Sequence, residues 1–526
     1  MRALVEQRPL DSRAPVPWLI GARLLNMLVV LAAIPVLIHA LGRDGFALWA
    51  LLLAASAVFS VLEFGMAPTY VRHAALALHE RGGAGTRALL GRVLAIVVTV
   101  FALAAAPLLW FSAGLTALLQ LPATASLSAS RLLPAIYLCV LLRAVLQFGA
   151  HSFNAARRFR ALALSAFAQS SFSNLAAALA AYSTGRLDLS LIAFWTAQLA
   201  VVGCGFLLAL RSLPTAAATD AAHAVSWRSL VTHGLKVQID DWTQVVTFQF
   251  DKFLIAAMLG LPALTPYEIA NRCVQALRSI PSSGLDAFLA YAVIGRAGHG
   301  DSWSRYLDAT RTAVLTSLVF LMAPMVVAPL FLFAWTGEVG LQARWVFLAL
   351  AIAAAMNVLA LPAASLVQAG DRPGLQARSA VLAMLLNLLL SCALIQVWGA
   401  TGAAIGTAVA ACAGAALLIS AAHDHCGQSL ASTLTMVLRY WPLAAVCLLC
   451  AWLFQSGFAY WLSVQGAEVR EARALRWSAA AWSLLGYVVC VVAMLSLQLR
   501  RDASLRGQWR RWRSARKQPH EQPSRR

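Results

Sequence analysis

Charge is what this sequence has least of. Only 12% of its 526 residues are Asp, Glu, Lys or Arg, and just 21 of those are acidic. A soluble domain is about 25% charged, so a water-facing globular protein is excluded. Long polar connections are missing too. The longest are Ser112–Ser130 and Arg211–Ser229. Neither leaves room for an ATPase module, and no GxxxxGK[ST] phosphate loop occurs. Cysteine gives no disulfide framework. Eight of the nine (Cys139, Cys204, Cys273, Cys392, Cys412, Cys447, Cys450 and Cys490) lie in apolar runs, where they read as small buried residues. Cys447 and Cys450 have CxxC spacing, but inside such a run.

Long hydrophobic runs take the place of all this. The chain is 61% hydrophobic, with mean hydropathy +0.73. That composition defines an all-α polytopic membrane protein. At about 20 apolar residues per crossing, fourteen spans are expected. They lie near 18–41, 46–66, 90–111, 132–151, 161–181, 189–210, 236–259, 266–294, 312–335, 344–367, 375–396, 401–421, 440–462 and 477–498. A twelve-span alternative differs in the C-terminal pair. Trp18 to Leu41 is too long for a signal-peptide core and is expected to stay as an anchor. The second span is expected to kink at Gly65/Pro68 and continue as an amphipathic extension.

The formal charge of +20 fits a membrane surface better than nucleic acid, which is not expected as a partner. Assigned connection by connection, 30 Arg and Lys fall on the side of the N-terminus and seven on the other. Both termini are therefore expected in the cytoplasm. Arg143, Lys252, Arg272 and Arg278 remain inside spans. Beyond them, Gln508–Arg513 interleaves Trp with Arg and reads as a segment for anionic lipid headgroups.

Polar residues form stripes on several spans. His233, Lys236, Asp240, Gln244, Thr247 and Asp251 recur by threes and fours, which places them on one helix face. Glu268, Asn271, Arg272, Gln275 and Ser279 repeat the device, with Arg278 to one side. Span four carries Arg143, Gln147, His151 and Asn154; span five carries Ser165, Gln169 and Ser173 beside Asn174. Ionisable groups at membrane depth cost about 2.5–3.5 kcal/mol each, so they face a bundle interior or a wet cavity. His423-Asp424-His425-Cys426 lacks a second ligand cluster and reads as a solvated loop, not a metal site.

An internal repeat is visible. Leu41-Gly42 and Leu259-Gly260 both mark an outer turn, each followed by an aromatic that opens the next helix, Phe46 and Tyr267. Six spans separate the copies, so they share one orientation. That predicts two lobes related by a pseudo-two-fold along the membrane normal. The expected division is 1–17 N-terminal segment, 18–211 first lobe, 212–235 linker, 236–421 second lobe, 422–498 two added spans, and 499–526 basic tail.

LGRDGFALWALLLAASAVFSVLEFGMAPTYVR (Leu41–Arg72) resembles the first hairpin of Wzx-type polysaccharide flippases. FDKFLIAAMLG…YEIANR (Phe250–Arg272) is similar to their second-lobe motif. LVQAGDRPG (Leu366–Gly374) and LNLLLSCALIQVWGATGAAIGTAVA (Leu386–Ala410) look like their spans ten to twelve. Phe46-Ala47 and Pro262 depart from the pattern. The family belongs to the multidrug/oligosaccharidyl-lipid/polysaccharide exporter superfamily, with the MATE drug exporters. The resemblance implies two six-helix lobes in a V around a central cavity, alternating access in a bacterial inner membrane, and export of an isoprenoid-diphosphate-linked oligosaccharide. It also implies a polymerase and glycosyltransferases as pathway partners.

A diphosphate needs fixed cations and a sugar needs amides and hydroxyls. Arg143, Arg272 and Arg278 are therefore the candidates for the diphosphate, and Gln147, Gln169, Gln244 and Gln275 for the sugar. Arg23 and Lys252 are further cavity cations, although Arg23 also reads as an interface anchor and Lys252 as a snorkelling side chain. Arg278 alternatively pairs with Asp240 or Asp241. A carboxylate that is alternately dry and wet can bind H⁺ or Na⁺. Asp240, Asp241, Asp251, Glu63 and Glu268 are the coupling candidates, with Asp251 and Glu268 also readable as partners of Lys252 and Arg272. No cofactor is called for. Two other functions stay open, a MATE-like cation-coupled exporter and an integral polysaccharide polymerase or ligase. The uncharged Ser112–Ser130 speaks against an outward enzyme face.

Overall fold

The computed structural model describes residues 15–80, 85–118, 123–213, 226–294, 302–369 and 373–464, and parts of 478–496. No strand occurs among them. Helices α1 (Pro15–Ser60), α2 (Met66–Glu80), α3 (Thr86–Leu118), α4 (Ala123–Ala155), α5 (Phe159–Thr184) and α6 (Leu187–Ser212) form the first half. Helices α7 (Trp227–Leu259), α8 (Leu261–Ile294), α9 (Ser302–Ser317), α10 (Ala323–Thr336), α11 (Glu338–Gln342), α12 (Arg344–Ala369) and α13 (Pro373–Cys426) form the second. Helix α14 (Leu430–Val464) follows.

Among the described residues, seven helices are long and apolar enough to cross a membrane, and a bent pair in α14 adds an eighth. Two of them are double crossings, since α1 and α13 run 46 and 54 residues and bend at Gly42 and Gly399. Helices α5, α7 and α8 are long enough but more polar, and they carry three of the four stripes. The whole has about fourteen crossing helices.

The repeat read from Leu-Gly has a backbone counterpart. Gly42 has φ 73° and ψ 177°, and Gly260 has φ 82° and ψ 173°. A Cβ is strained at that φ, so glycine lets each chain reverse at the end of a helix within one residue. The second hairpin is tighter than the sequence reading allowed. Helix α8 starts at Leu261, directly after Gly260, and takes Pro262 into its first turn, where the missing N–H is not needed. Ser112–Ser130 also differs from expectation, because α3 runs on to Leu118 and α4 begins at Ala123. The kink after the second crossing is a 3-10 turn at Val61–Glu63, with Phe64 left-handed at φ 58°, and α2 follows as a separate helix.

One buried apolar core runs through both halves. In the first, α5 packs along α1 and α6, and α6 also packs on α4. Trp49, Phe46, Tyr70, Phe101 and Phe148 are fully buried there, and the Tyr70 and Ser152 hydroxyls share a 2.8 Å hydrogen bond between α2 and α4. In the second, α12 packs on α13 and α8, and α13 on α7. A π-helical turn at Leu318–Met322 joins α9 to α10 just before Pro324, which relieves the carbonyls that proline leaves unpaired.

The halves touch at both ends. At the Gly42 end, Thr265 Oγ1 donates to Arg43 O (2.8 Å), Arg43 donates to Gln342 Oε1 (2.6 Å), and Trp335 Nε1 donates to Leu31 O (2.8 Å). At the opposite end, Gln238 Nε2 donates to Val61 O (2.7 Å). Gly65 and Gly234 pack there so closely that a Cβ on Gly65 would lie 2.4 Å from Gly234 O.

Candidate functional site

Two adjoining clusters sit where α7 meets α8 near the Gly42 end. The first is an ion triad. Lys252 Nζ lies 2.9 Å from Glu268 Oε2, and Arg272 Nε lies 2.6 Å from Glu268 Oε1. Glu268 and Lys252 are 1% and 6% exposed. The i, i+4 spacing on α8 brings Glu268 and Arg272 together, and the tight Gly260 reversal brings Lys252 alongside. Two cations on one carboxylate leave a net charge of +1. Arg272 also reaches the other half, with its guanidinium carbon 4.6 Å from the centroid of the buried Trp49 ring. Lys252 does not snorkel; it is held inside by Glu268.

The second cluster surrounds Asp251, which is 1% exposed. Its carboxylate accepts from Tyr267 Oη (2.9 Å), Ser391 Oγ (3.0 Å) and Thr407 Oγ1 (2.6 Å). Ser391 Oγ is also 3.2 Å from Asn387 Oδ1, and Asn387 Nδ2 donates to Thr247 O (3.4 Å). Among the described residues no Lys or Arg pairs with Asp251. Its neighbour on the chain, Lys252, turns to Glu268 instead. A buried carboxylate needs compensation. Here hydroxyl and amide oxygens surround it, a set that suits a proton or a hard monovalent cation. Among the described residues no group of three or more His, Cys, Asp or Glu could hold a transition metal.

Below these clusters α7, α8, α12 and α13 enclose a cavity. Its upper part, about 20 Å³, is lined by Thr247, Tyr267, Asn271, Gln275, Arg278 and Thr407, among others. A wider part of about 180 Å³ continues past Asn357, Gln376 and Ser379 along alanine-rich walls. The Arg278 guanidinium lies 5.1 Å from the Phe248 ring centroid at the junction. In the first half, Arg143 pairs with Glu63 at 3.0 Å, both about one-fifth exposed. Gln147 lies one turn on, with its Oε1 buried and, among the described residues, no hydrogen-bond partner.

The sequence candidates therefore divide. Arg272, Lys252 and Glu268 form one group, Asp251 a second, Gln275 and Arg278 line the cavity, and Arg143 with Glu63 stands in the first half. Gln169 lies on α5, where its backbone oxygen accepts from Ser173. The side chains of Arg23, Asp240, Asp241 and Gln244 lie outside the described residues, as does Gln508–Arg513. His423 is not in a solvated loop. It lies in the last turn of α13, fully buried, with Nε2 2.9 Å from Thr433 Oγ1 and its ring edge-on to Trp303. Sequence reading missed Tyr267, Asn387, Ser391, Thr407 and Asn357. The signal available was polar residues recurring by fours in apolar runs, as at Asn387 and Ser391.

No protein-family model matches the sequence, and no curated protein matches it. Solved structures do. The lipid II flippase MurJ in an inward closed conformation superposes with a TM-score of 0.63 at 13% identity, over 91% of this chain and 97% of that one. An inward-facing multidrug resistance MATE family transporter of the MOP superfamily gives 0.62 at 13% identity, over 77% and 96%. A MOP superfamily transporter from Pyrococcus furiosus gives 0.58 at 12% identity, over 79% and 96%. The chain is thus an integral multi-pass membrane protein with the fold of the MOP superfamily transporters.

Proposed function

We propose that the protein is a flippase that moves an isoprenoid-diphosphate-linked oligosaccharide across the membrane by alternating access, driven by a cation gradient. The observation that carries this reading is the triad. Two buried cations share one carboxylate, and Arg272 stands at the seam between the halves against Trp49. Such a site attracts an anion such as a diphosphate and repels the cationic substrates of a drug exporter. Arg143 offers a second cation from the first half once its pair with Glu63 parts. Gln275 and Gln147 are amide donors suited to sugar hydroxyls. Asp251 with its oxygen cage is the proposed site of the driving ion, H⁺ or Na⁺. The reach of the likeness also favours a flippase over a drug exporter, since MurJ superposes on 91% of the chain and the MATE structure on 77%.

The purified protein in proteoliposomes is expected to translocate a fluorescent isoprenyl-diphosphate oligosaccharide and to leave a cationic dye such as ethidium in place. Dye export without glycolipid movement would instead support the MATE-like reading.

A further inference from the structure

The Asp251 cage does not lie on the seam between the two halves. It adjoins the cavity inside the second half. Two of its three hydroxyl donors, Tyr267 and Thr407, line the upper chamber, and so does Thr247, whose carbonyl receives Asn387. The upper chamber shares Thr247, Phe248, Arg278, Asn357 and Thr407 with the wider one, so the two abut at these five residues. No described residue of 15–213 lines either part.

The direction follows from the helices. From Thr407 to Leu418, both lining α13, is 11 residues, about 16 Å at 1.5 Å per residue. The far end is lined by Gln376, one turn from the start of α13 at Pro373. That end belongs to the side with the arginine-rich connections. A cavity holds a water when it offers about 10–15 Å³ of probe space and two to four polar partners. The upper chamber, at about 20 Å³, meets both conditions through Thr247, Asn271, Gln275 and Thr407. The lower chamber, at about 180 Å³, has room for several waters.

Resting on the reading of Asp251 as the ion site, we propose that this cavity is a hydrated conduit by which a monovalent cation passes between Asp251 and the arginine-rich side. The ion and the glycolipid then use separate routes, one inside the second half and one along the seam. A buried carboxylate next to wet hydroxyls exchanges its ion without opening the lobes. The neck is set by Phe248 and Arg278, below which the walls are Ala360, Ala380 and Ala411. Those alanines are far too small to close the passage themselves.

The test uses sodium alone as the probe. Full-length protein carrying Ala380→Cys is folded first and then treated with N-benzylmaleimide, with the parent treated identically to account for native thiols. Release of bound ²²Na⁺ on dilution is then timed. The modified variant is expected to release at least about tenfold more slowly, while the sodium-induced rise in melting temperature is retained. The untreated variant should match the parent. Asp251→Asn should bind no sodium at all. An unchanged release rate after complete modification would overturn the conduit while leaving Asp251 as the ion site. Absence of any bound sodium in the parent would overturn the sodium conduit and Asp251 as a sodium site together.

Discussion

At the scale of single residues, the triad sets the energetics of the seam. Glu268 is the common partner of Lys252 and Arg272, all within the membrane-spanning part. Breaking a buried pair by removing one partner costs about 3–5 kcal/mol, because a charge is left uncompensated. Glu268→Gln strands two cations and is expected to lower stability by about that amount in a denaturation experiment in detergent. Adding Lys252→Met to Glu268→Gln removes one of the stranded charges and should recover part of the loss. A double variant no more stable than Glu268→Gln would show that Lys252 does not couple to Glu268. The triad was half legible. Charges in an apolar run are conspicuous, and the i, i+4 spacing of Glu268 and Arg272 suggested their pairing. Asp251 and Lys252 could not be assigned from sequence, since adjacent residues on a helix point about 100° apart and either could have faced Glu268 and Arg272 on α8. The hydroxyls around Asp251 were hidden for another reason. Ser and Thr in helices commonly bond their own backbone, as Thr407 does to Ala403 O at 3.0 Å, so even the recurrence of Asn387 and Ser391 by four does not separate ligands from ordinary helix residues.

At the scale of elements, glycine decides where helices stop and how closely they meet. The paired turns at Gly42 and Gly260 were legible because Leu-Gly recurs in the same place in each half, and their shared φ and ψ are the physical content of that repeat. The contact of Gly65 with Gly234 was not legible, because α2 and α7 are far apart in sequence and glycine is common in this chain. It fixes the arginine-rich end of the seam. A Cβ on Gly234 would stand 2.7 Å from Phe64 O and 2.2 Å from Met66 Cε. Methionine can move, but a backbone carbonyl cannot without shifting the 3-10 turn. Gly234 lies inside α7, so alanine is helix-compatible there and acts only through this contact. Gly234→Ala is therefore expected to part α2 from α7 and to favour the state open at that end. Spin labels placed on α2 and α7 should report longer separations in the variant. An unchanged distance distribution would mean that the turn absorbs the methyl group.

At the scale of the whole molecule, the question is which end opens. The V-shaped arrangement implied by family resemblance opens at one end, whereas here the halves meet at both. Alternating access requires that one set of contacts yields while the other holds. The Gly42 end is held by three hydrogen bonds and by Arg272 over Trp49. The other end is held by Gln238 on Val61 O, the Gly65–Gly234 contact, and the longer approach of Arg72 to His233 at 3.5 Å. A single hydrogen bond is worth about 0.5–1.5 kcal/mol, which changes a two-state ratio by roughly two- to tenfold. Under the proposed alternating access, the two ends act as opposing weights on one equilibrium. Gln238→Leu should move the population toward opening on the arginine-rich side, and Trp335→Phe, which loses the bond to Leu31 O, should move it the opposite way. Distances measured across both ends in each variant test this directly, since one must lengthen as the other stays short. Equal lengthening at the same end in both variants would mean that the halves do not rock about a common seam. If the shifts are opposite, combining the substitutions should return the ratio near that of the parent, because each alters the same equilibrium by a comparable energy.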